Sequence, residues 1–265
     1  MIRNLRRTTI ILIIIIFSSC RSDLNDIQAV FEKGNYEETI DRLDTYLFFN
    51  VTDVKALHMR ARSYEELEMY EEAKSDFERV IQLNPDYALA YAGLGKIEFE
   101  EKNYKQAELY LLRAATLEAD NFDILYMLGR AQIMTGKYRN AEEFLRQALD
   151  MKPEFGKVNF YIGMSLAFQG DALGAAAAFN QYVQYEPDHI TGLYNRGFAL
   201  MRAGFIDWAI DDFNTVLSQE PDHWDAMAQK GICLNQLGDS QGCVLLNKAA
   251  AEGSMYALAA EKLCS

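Results

Sequence analysis

The chain has 265 residues, of which 50% are hydrophobic and 25% charged. That is enough apolar surface to bury a core, so composition excludes a disordered chain. A formal charge of −13 excludes a general nucleic-acid binder, because phosphate neutralisation needs a basic face. Four prolines against 15 Tyr and 15 Phe suit a helical protein better than a loop-rich all-β one.

Residues 1–20 read MIRNLRRTTIILIIIIFSSC. Arg3, Arg6 and Arg7 precede an unbroken apolar run from Ile10 to Phe17. At ~1.5 Å per residue that run covers only ~12 Å of a ~30 Å hydrocarbon core, too little for a transmembrane helix. It matches the apolar region of a secretory signal. Ser18, Ser19 and Cys20 follow, and the segment resembles a bacterial lipobox, with Phe17 departing from the usual Leu. The resemblance implies a signal peptide over 1–19 and lipid (palmitate-type) acylation of Cys20. An ordinary signal peptide with an incidental Cys is the alternative. Loss of the three leader arginines takes the formal charge from −13 to −16. Such a body needs the acylated Cys20 for membrane attachment, since anionic lipid repels it. Arg21 stands where similar lipoproteins retained at the inner membrane often carry Asp. The expected location is therefore the bacterial envelope, at the periplasmic side of the outer membrane.

The prolines are Pro85, Pro153, Pro187 and Pro221, spaced 68, 34 and 34 residues. Setting them at phase 32 of a 34-residue unit gives starts at 54, 88, 122, 156, 190 and 224. Phase 8 is then Ala61, Gly95, Gly129, Gly163, Gly197 and Gly231. Phase 20 is Ala73, Ala107, Ala141, Ala175, Ala209 and Cys243. Phase 24 is large in five units, from Phe77 to Phe213, before Asn247. Each unit carries two segments with helical apolar spacing. Gly136, Gly170, Gly204 and Gly238 at phase 15 suit a left-handed C-cap after the first helix. Proline closes the second helix, and Asp86, Asp188 and Asp222 are expected to cap the next. Small residues at phases 8 and 20 let paired helices approach, and phase 24 is expected to fill the gap to the next unit.

On these residues the chain resembles the tetratricopeptide repeat (TPR) family. The resemblance implies an all-α fold, an α-α superhelix (TPR solenoid) of antiparallel helix pairs. Its units are 54–87, 88–121, 122–155, 156–189, 190–223 and 224–257, with a degenerate unit at 20–53 and a capping helix at 255–265. Nearest-neighbour stacking supplies the stability of such arrays.

Of the remaining cysteines, Cys243 lies 10 residues before Gly253 and Cys264 lies 11 after it. A turn at Gly253 and Ser254 would bring them to one height of an antiparallel helix pair. The segment also resembles the Cys-closed tails of some envelope TPR proteins, which favours a Cys243–Cys264 disulfide over two buried thiols. Cys233 is then free. No CxxC or clustered His supports a metal site. His189 and His223 share one phase and read as solvated loop residues; His58 has no evident acid or nucleophile partner. Pairs such as Glu65–Glu66 and Glu71–Glu72 read as solvated charge. No catalytic motif, cofactor motif or small-molecule site is apparent.

The TPR resemblance implies that phases 2, 5, 9, 12 and 13 of each first helix line a concave groove. Unit one offers Lys55, His58, Arg62, Glu65 and Glu66. Units three to five instead offer Tyr126, Arg130, Ile133, Met134, Lys157, Phe160, Met164, Phe168, Tyr194, Phe198, Met201 and Arg202. An apolar stripe with Arg and Lys around it suits a protein or peptide partner with an apolar anchor and some negative charge. Burial of the stripe against the protein itself is the competing outcome. The expected function is a non-enzymatic, lipid-anchored adaptor. A constitutive structural subunit of an envelope machine is the alternative.

Overall fold

The computed structural model describes residues 23–264. The leader and Cys20 lie outside the described residues. Contacts divide the chain into two compact units, ending and beginning at Ala119 and Asp120. The first holds three helix pairs: α1 (Leu24–Phe31) with α2 (Tyr36–Phe49), α3 (Val54–Glu66) with α4 (Tyr70–Leu83), and α5 (Ala88–Glu100) with α6 (Tyr104–Leu117). The second holds four: α7 (Phe122–Met134) with α8 (Tyr138–Met151), α9 (Lys157–Gln169) with α10 (Ala172–Tyr185), α11 (Ile190–Arg202) with α12 (Ile206–Gln219), and α13 (Trp224–Gln236) with α14 (Gln241–Ala251). A short α15 (Met255–Ala259) and a 3-10 turn (Glu261–Cys264) close it. No strand occurs among the described residues, and within each compact unit successive helices pack on one another. The fold is all-α.

The periodic small residues have a direct steric reason. A Cβ on Gly95 would lie 2.6 Å from Leu111 Cγ, one on Gly129 2.5 Å from Leu145 Cγ, and one on Gly163 2.8 Å from the Phe179 ring. The large phase-24 side chain therefore seats on the phase-8 glycine of its own unit. This corrects the expectation that phase 24 serves only the gap to the next unit. Phe77, whose own unit has Ala61 at phase 8, reaches forward: its ring tip meets the Gly93 position of the following A helix. Here "A" and "B" denote the first and second helix of a pair.

Phase 15 is left-handed throughout. Gly136, Gly170, Gly204 and Gly238 have φ of 79°, 85°, 89° and 78°. Glu68 and Lys102 occupy the same phase with φ of 59° and 65°, so the turn forms even where a Cβ disfavours it. The caps fall one residue later than expected. Asp86, Asp188 and Asp222 do not cap; α3, α5, α7, α11 and α13 start at phase 1 with phase 34 as the N-cap, and α9 starts one residue later, at Lys157 after Gly156. Asp53 accepts from Lys55 and Ala56 N–H, and Asn121 accepts from Asp123 and Ile124 N–H. His189 Nδ1 accepts from Gly192 N–H at 3.1 Å, and His223 Nδ1 from Ala226 N–H at 3.2 Å. The two histidines are caps rather than free loop residues, because an imidazole nitrogen reaches the orphan donors as a carboxylate would.

The capping helix is also shorter than predicted, broken after Ala259 into α15 and the 3-10 turn. Cys243 and Cys264 are joined by a disulfide, with Cα atoms 5.4 Å apart, and it ties that turn to α14. Cys233 is a buried free thiol. Burial pushes its pKa up to about 11, so it stays protonated at neutral pH.

Two charge pairs repeat four units apart. Arg60 donates to both carboxylate oxygens of Asp76 at 2.7 Å and to Asp44 at 2.7 Å. Arg196 donates to Asp212 at 2.9 and 2.6 Å and to Asn180 at 2.9 Å. The fork geometry satisfies a buried carboxylate, Asp76 or Asp212, from the A helix of its own pair.

Candidate protein-binding face

In the first unit the A-helix row is charged but not simply solvated. Glu65 is 5% exposed. It sits between Lys96 Nζ at 2.5 Å and Arg62 Nε at 3.2 Å, which corrects its reading as solvated; Glu71 and Glu72 are exposed. His58 lies between the rings of Phe77 and Tyr87, at 5.8 and 5.1 Å. Its Nε2 is buried without a hydrogen-bond partner. Burial, and secondarily the Arg62 charge, pushes its pKa down to about 4, so the ring is neutral at pH 7.

The row in the second unit is built from α7, α9 and α11. Tyr126 is half-buried, stacked on Phe122 at 5.8 Å and edge-on to Phe155 and Tyr161 at 5.6 Å. The Arg130 guanidinium lies over both tyrosines, 5.5 Å from the Tyr126 centroid and 5.2 Å from Tyr161. Phe160 packs edge-on to Phe179 at 5.7 Å and against Tyr182 at 5.1 Å. Tyr194 stacks on the capping His223 at 5.0 Å. Burial pushes the hydroxyls of Tyr126 and Tyr194 above the ordinary tyrosine range, so both remain neutral donors.

The predicted stripe therefore splits. Ile133 is 5% exposed and belongs to the core, which corrects its assignment to the groove: phase 12 of α7 turns toward the packed side of that helix. Tyr126, Phe160 and Tyr194 are half-buried and engaged in packing: Tyr126 joins α7 to α9 through Tyr161, Phe160 packs on α10, and Tyr194 packs on Phe213 and His223. Phe168 and Met134 remain 58% and 48% exposed. Phe168 stacks flat on Tyr138 at 4.7 Å, which holds its other face toward water. Lys157 and Arg202 are exposed, and Arg130, Met164, Phe198 and Met201 are half-exposed. At the C-terminal end Tyr256 of α15 approaches Phe198, with ring centroids 6.2 Å apart. The chain's own cap thus covers part of the row. Sequence reasoning missed Phe122, Phe155, Tyr161 and Tyr256, which lie at phases it did not inspect.

Among the described residues no group of three or more His, Cys, Asp or Glu could hold a metal ion. No described helix is long and apolar enough to cross a membrane. What the row offers is apolar contact, ring faces and fixed cations, which is the chemistry of recognition.

Comparison with known proteins follows the same lines. The mouse (Mus musculus) aryl-hydrocarbon-interacting protein-like 1 is 39% identical over 62 residues, 23% of this chain and 19% of its own length. The match thus spans about a fifth of that relative. The crystal structure of YrrB, a TPR protein with an unusual peptide-binding site, superposes with TM-score 0.66 at 23% identity, covering 71% of this chain and 97% of YrrB. PilW, a widely conserved type IV pilus biogenesis factor, gives TM-score 0.62 at 16% identity over 74% of this chain and 91% of its own. MamA from Desulfovibrio magneticus RS-1 gives 0.56 at 23% identity over 62% and 92%. These similarities establish the fold. Profiles described as Tetratricopeptide repeat match residues 58–124 and 194–259, 98–158, and 158–189. With the 34-residue helix pairs and their glycine-seated cores, this chain belongs to the tetratricopeptide repeat family.

Proposed function

We propose that the chain is a non-enzymatic adaptor that binds a protein segment on the A-helix row of α7, α9 and α11. In the same reading it is held at a bacterial envelope membrane, on the periplasmic face, by lipid on Cys20. One observation carries the binding reading: Phe168 and Met134 keep 58% and 48% of their surface exposed near the C-terminal ends of α9 and α7, where Arg130 lies one turn before Met134 and Arg202 ends α11. Large apolar side chains held toward water by their own packing are a docking feature. The flanking cations suit a guest segment with an apolar anchor and acidic neighbours. Attachment through Cys20 rests on the leader sequence alone.

Phe160 is a poor probe of this reading because its ring is part of the packing between α9 and α10. Phe168→Ala with Met134→Ala removes mostly exposed surface, and of the ring contacts only the stack of Phe168 on Tyr138. We expect that double variant to keep its helical circular dichroism and to lose about tenfold or more in affinity for the partner recovered with the wild-type protein. Unchanged affinity would reject the row as the binding face. A permanently occupied structural subunit is the second reading, favoured by Tyr256 lying on Phe198. It predicts a stoichiometric complex that survives high salt, where the adaptor predicts reversible capture.

A further inference from the structure

The B-helix side of the second unit carries a cleft whose apolar lining the repeat itself does not require. It has a volume of about 550 Å³ and is bounded by α10, α11 and α12. Its floor is Ala176 and Ala177, and its walls are Leu173, Phe205 and Trp208. Trp208 is 61% exposed and Leu173 62%. The Trp208 ring stacks on Phe205 at 5.3 Å and 11°, so its orientation is fixed.

The other units serve as internal controls for what the fold needs at each phase. Where the cleft has Ala177, the third unit has the exposed Glu143. Where it has Trp208, the first and third units have the exposed Glu72 and Asn140. The solenoid folds with long polar groups at these phases. The equivalent place in the first repeat also holds a hollow, with Asp44, Glu71 and Glu72 in its lining; at α10, α11 and α12 a small floor and an aromatic wall take the place of such polar groups and make the hollow apolar. Scattered exposed apolar residues are ordinary on a protein surface, but a contiguous walled set marks a contact site.

The electrostatics select the guest. Arg196 lines the cleft, but its guanidinium is already committed to Asp212 and Asn180. Asp211 lines the same cleft and Asp207 lies one residue from Trp208; both are exposed and form no ion pair among the described residues. A guest therefore meets an apolar hollow with an uncompensated negative rim. Its complement is a bulky apolar side chain with Lys or Arg beside it.

We propose that this cleft is a second docking site, distinct from the A-helix row, for a basic amphipathic segment of a protein partner. Its apolar face enters between Trp208 and Leu173 over the alanine floor. Its cations meet Asp207 and Asp211.

The test uses the full chain and two synthetic 14-residue amphipathic helices, one of Leu and Lys and one of Leu and Glu, titrated by calorimetry and by tryptophan fluorescence. The Leu/Lys peptide should bind one-to-one and shift the emission of Trp208 to the blue, and the Leu/Glu peptide should not. Trp208→Asn and Ala177→Glu install residues that the third unit already tolerates, so both variants should fold with unchanged circular dichroism. Each should weaken Leu/Lys binding by about tenfold or more. The charge change makes Ala177→Glu decisive. If the peptide were held only by the negative field of an acidic protein, the added carboxylate would strengthen binding. Strengthened or unchanged binding in that variant, or absence of binding by the wild type, overturns the proposal. So does Leu/Lys binding lost only in the Phe168→Ala, Met134→Ala variant. Self-association dispersed by Ala177→Glu would assign the cleft to a second copy and likewise overturn it.

Discussion

At the scale of single residues, two features give measurable consequences. His58 is neutral in the folded protein, its pKa pushed down to about 4 against an ordinary 6.5. Below pH 6.5 the unfolded chain takes up a proton that the folded chain refuses, so stability is lost as pH falls from 6.5 through 4. The loss amounts to about 3 kcal/mol at the acid end. His58→Gln should flatten that limb of the unfolding midpoint against pH, and an unchanged slope would show that the ring titrates normally. Glu68 and Lys102 hold positive φ where four later units have glycine. Removing the Cβ clash outweighs the extra freedom glycine gives the unfolded chain. Glu68→Gly and Lys102→Gly should therefore each stabilise by about 0.5–1 kcal/mol in urea denaturation. The strict phase of the glycines was readable in sequence. The two substitutes were not, because their turn is imposed by the helices on either side.

At the scale of helix pairs, Arg60 and Asp76 stand at the phases where the next unit has Leu94, a core residue, and Tyr110, which packs against the same apolar cluster. A buried fork of this kind is strong once formed but expensive to desolvate. Asp76→Ala should cost about 3–5 kcal/mol, because the Arg60 charge is then left poorly compensated. Arg60→Leu with Asp76→Tyr copies the next unit and should recover most of that loss. Chemical denaturation of the single and double variants reads the difference. A double variant no more stable than Asp76→Ala would mean that the pair does more than fill space. The phase-8 glycines belong to the same scale. With a Cβ on Gly129 only 2.5 Å from Leu145 Cγ, Gly129→Ala should destabilise by about 1–3 kcal/mol through overpacking. Helix existence, pairing phase and these seats were legible from the 34-residue period. The caps were misread by one residue because several polar side chains at each junction compete for the same free N–H groups.

At the scale of the whole chain, the formal charge of −13 is a repulsive load on the folded state. Raising NaCl from about 0.02 to 0.3 M should screen it and raise the thermal midpoint, since the Debye length shrinks over that range. A falling midpoint would mean that ion pairs such as Glu65 with Lys96 dominate. Membrane attachment is a whole-chain property too: Cys20→Ala should move the protein from the membrane pellet to the soluble fraction, and continued firm attachment would contradict acylation there. The sequence by itself determined the repeat, the helical class and the helix-pair phase, because a strict period of small, large and left-handed positions admits one packing solution per unit. Only tertiary structure decided which residues stay available to a partner. Tyr126, Phe160, Phe168 and Ile133 are alike as apolar groups on A helices. Their exposure depends on what a neighbouring helix, the C-terminal cap or a ring from another unit places over them, and that is a contact between residues far apart in the chain, which no local pattern encodes.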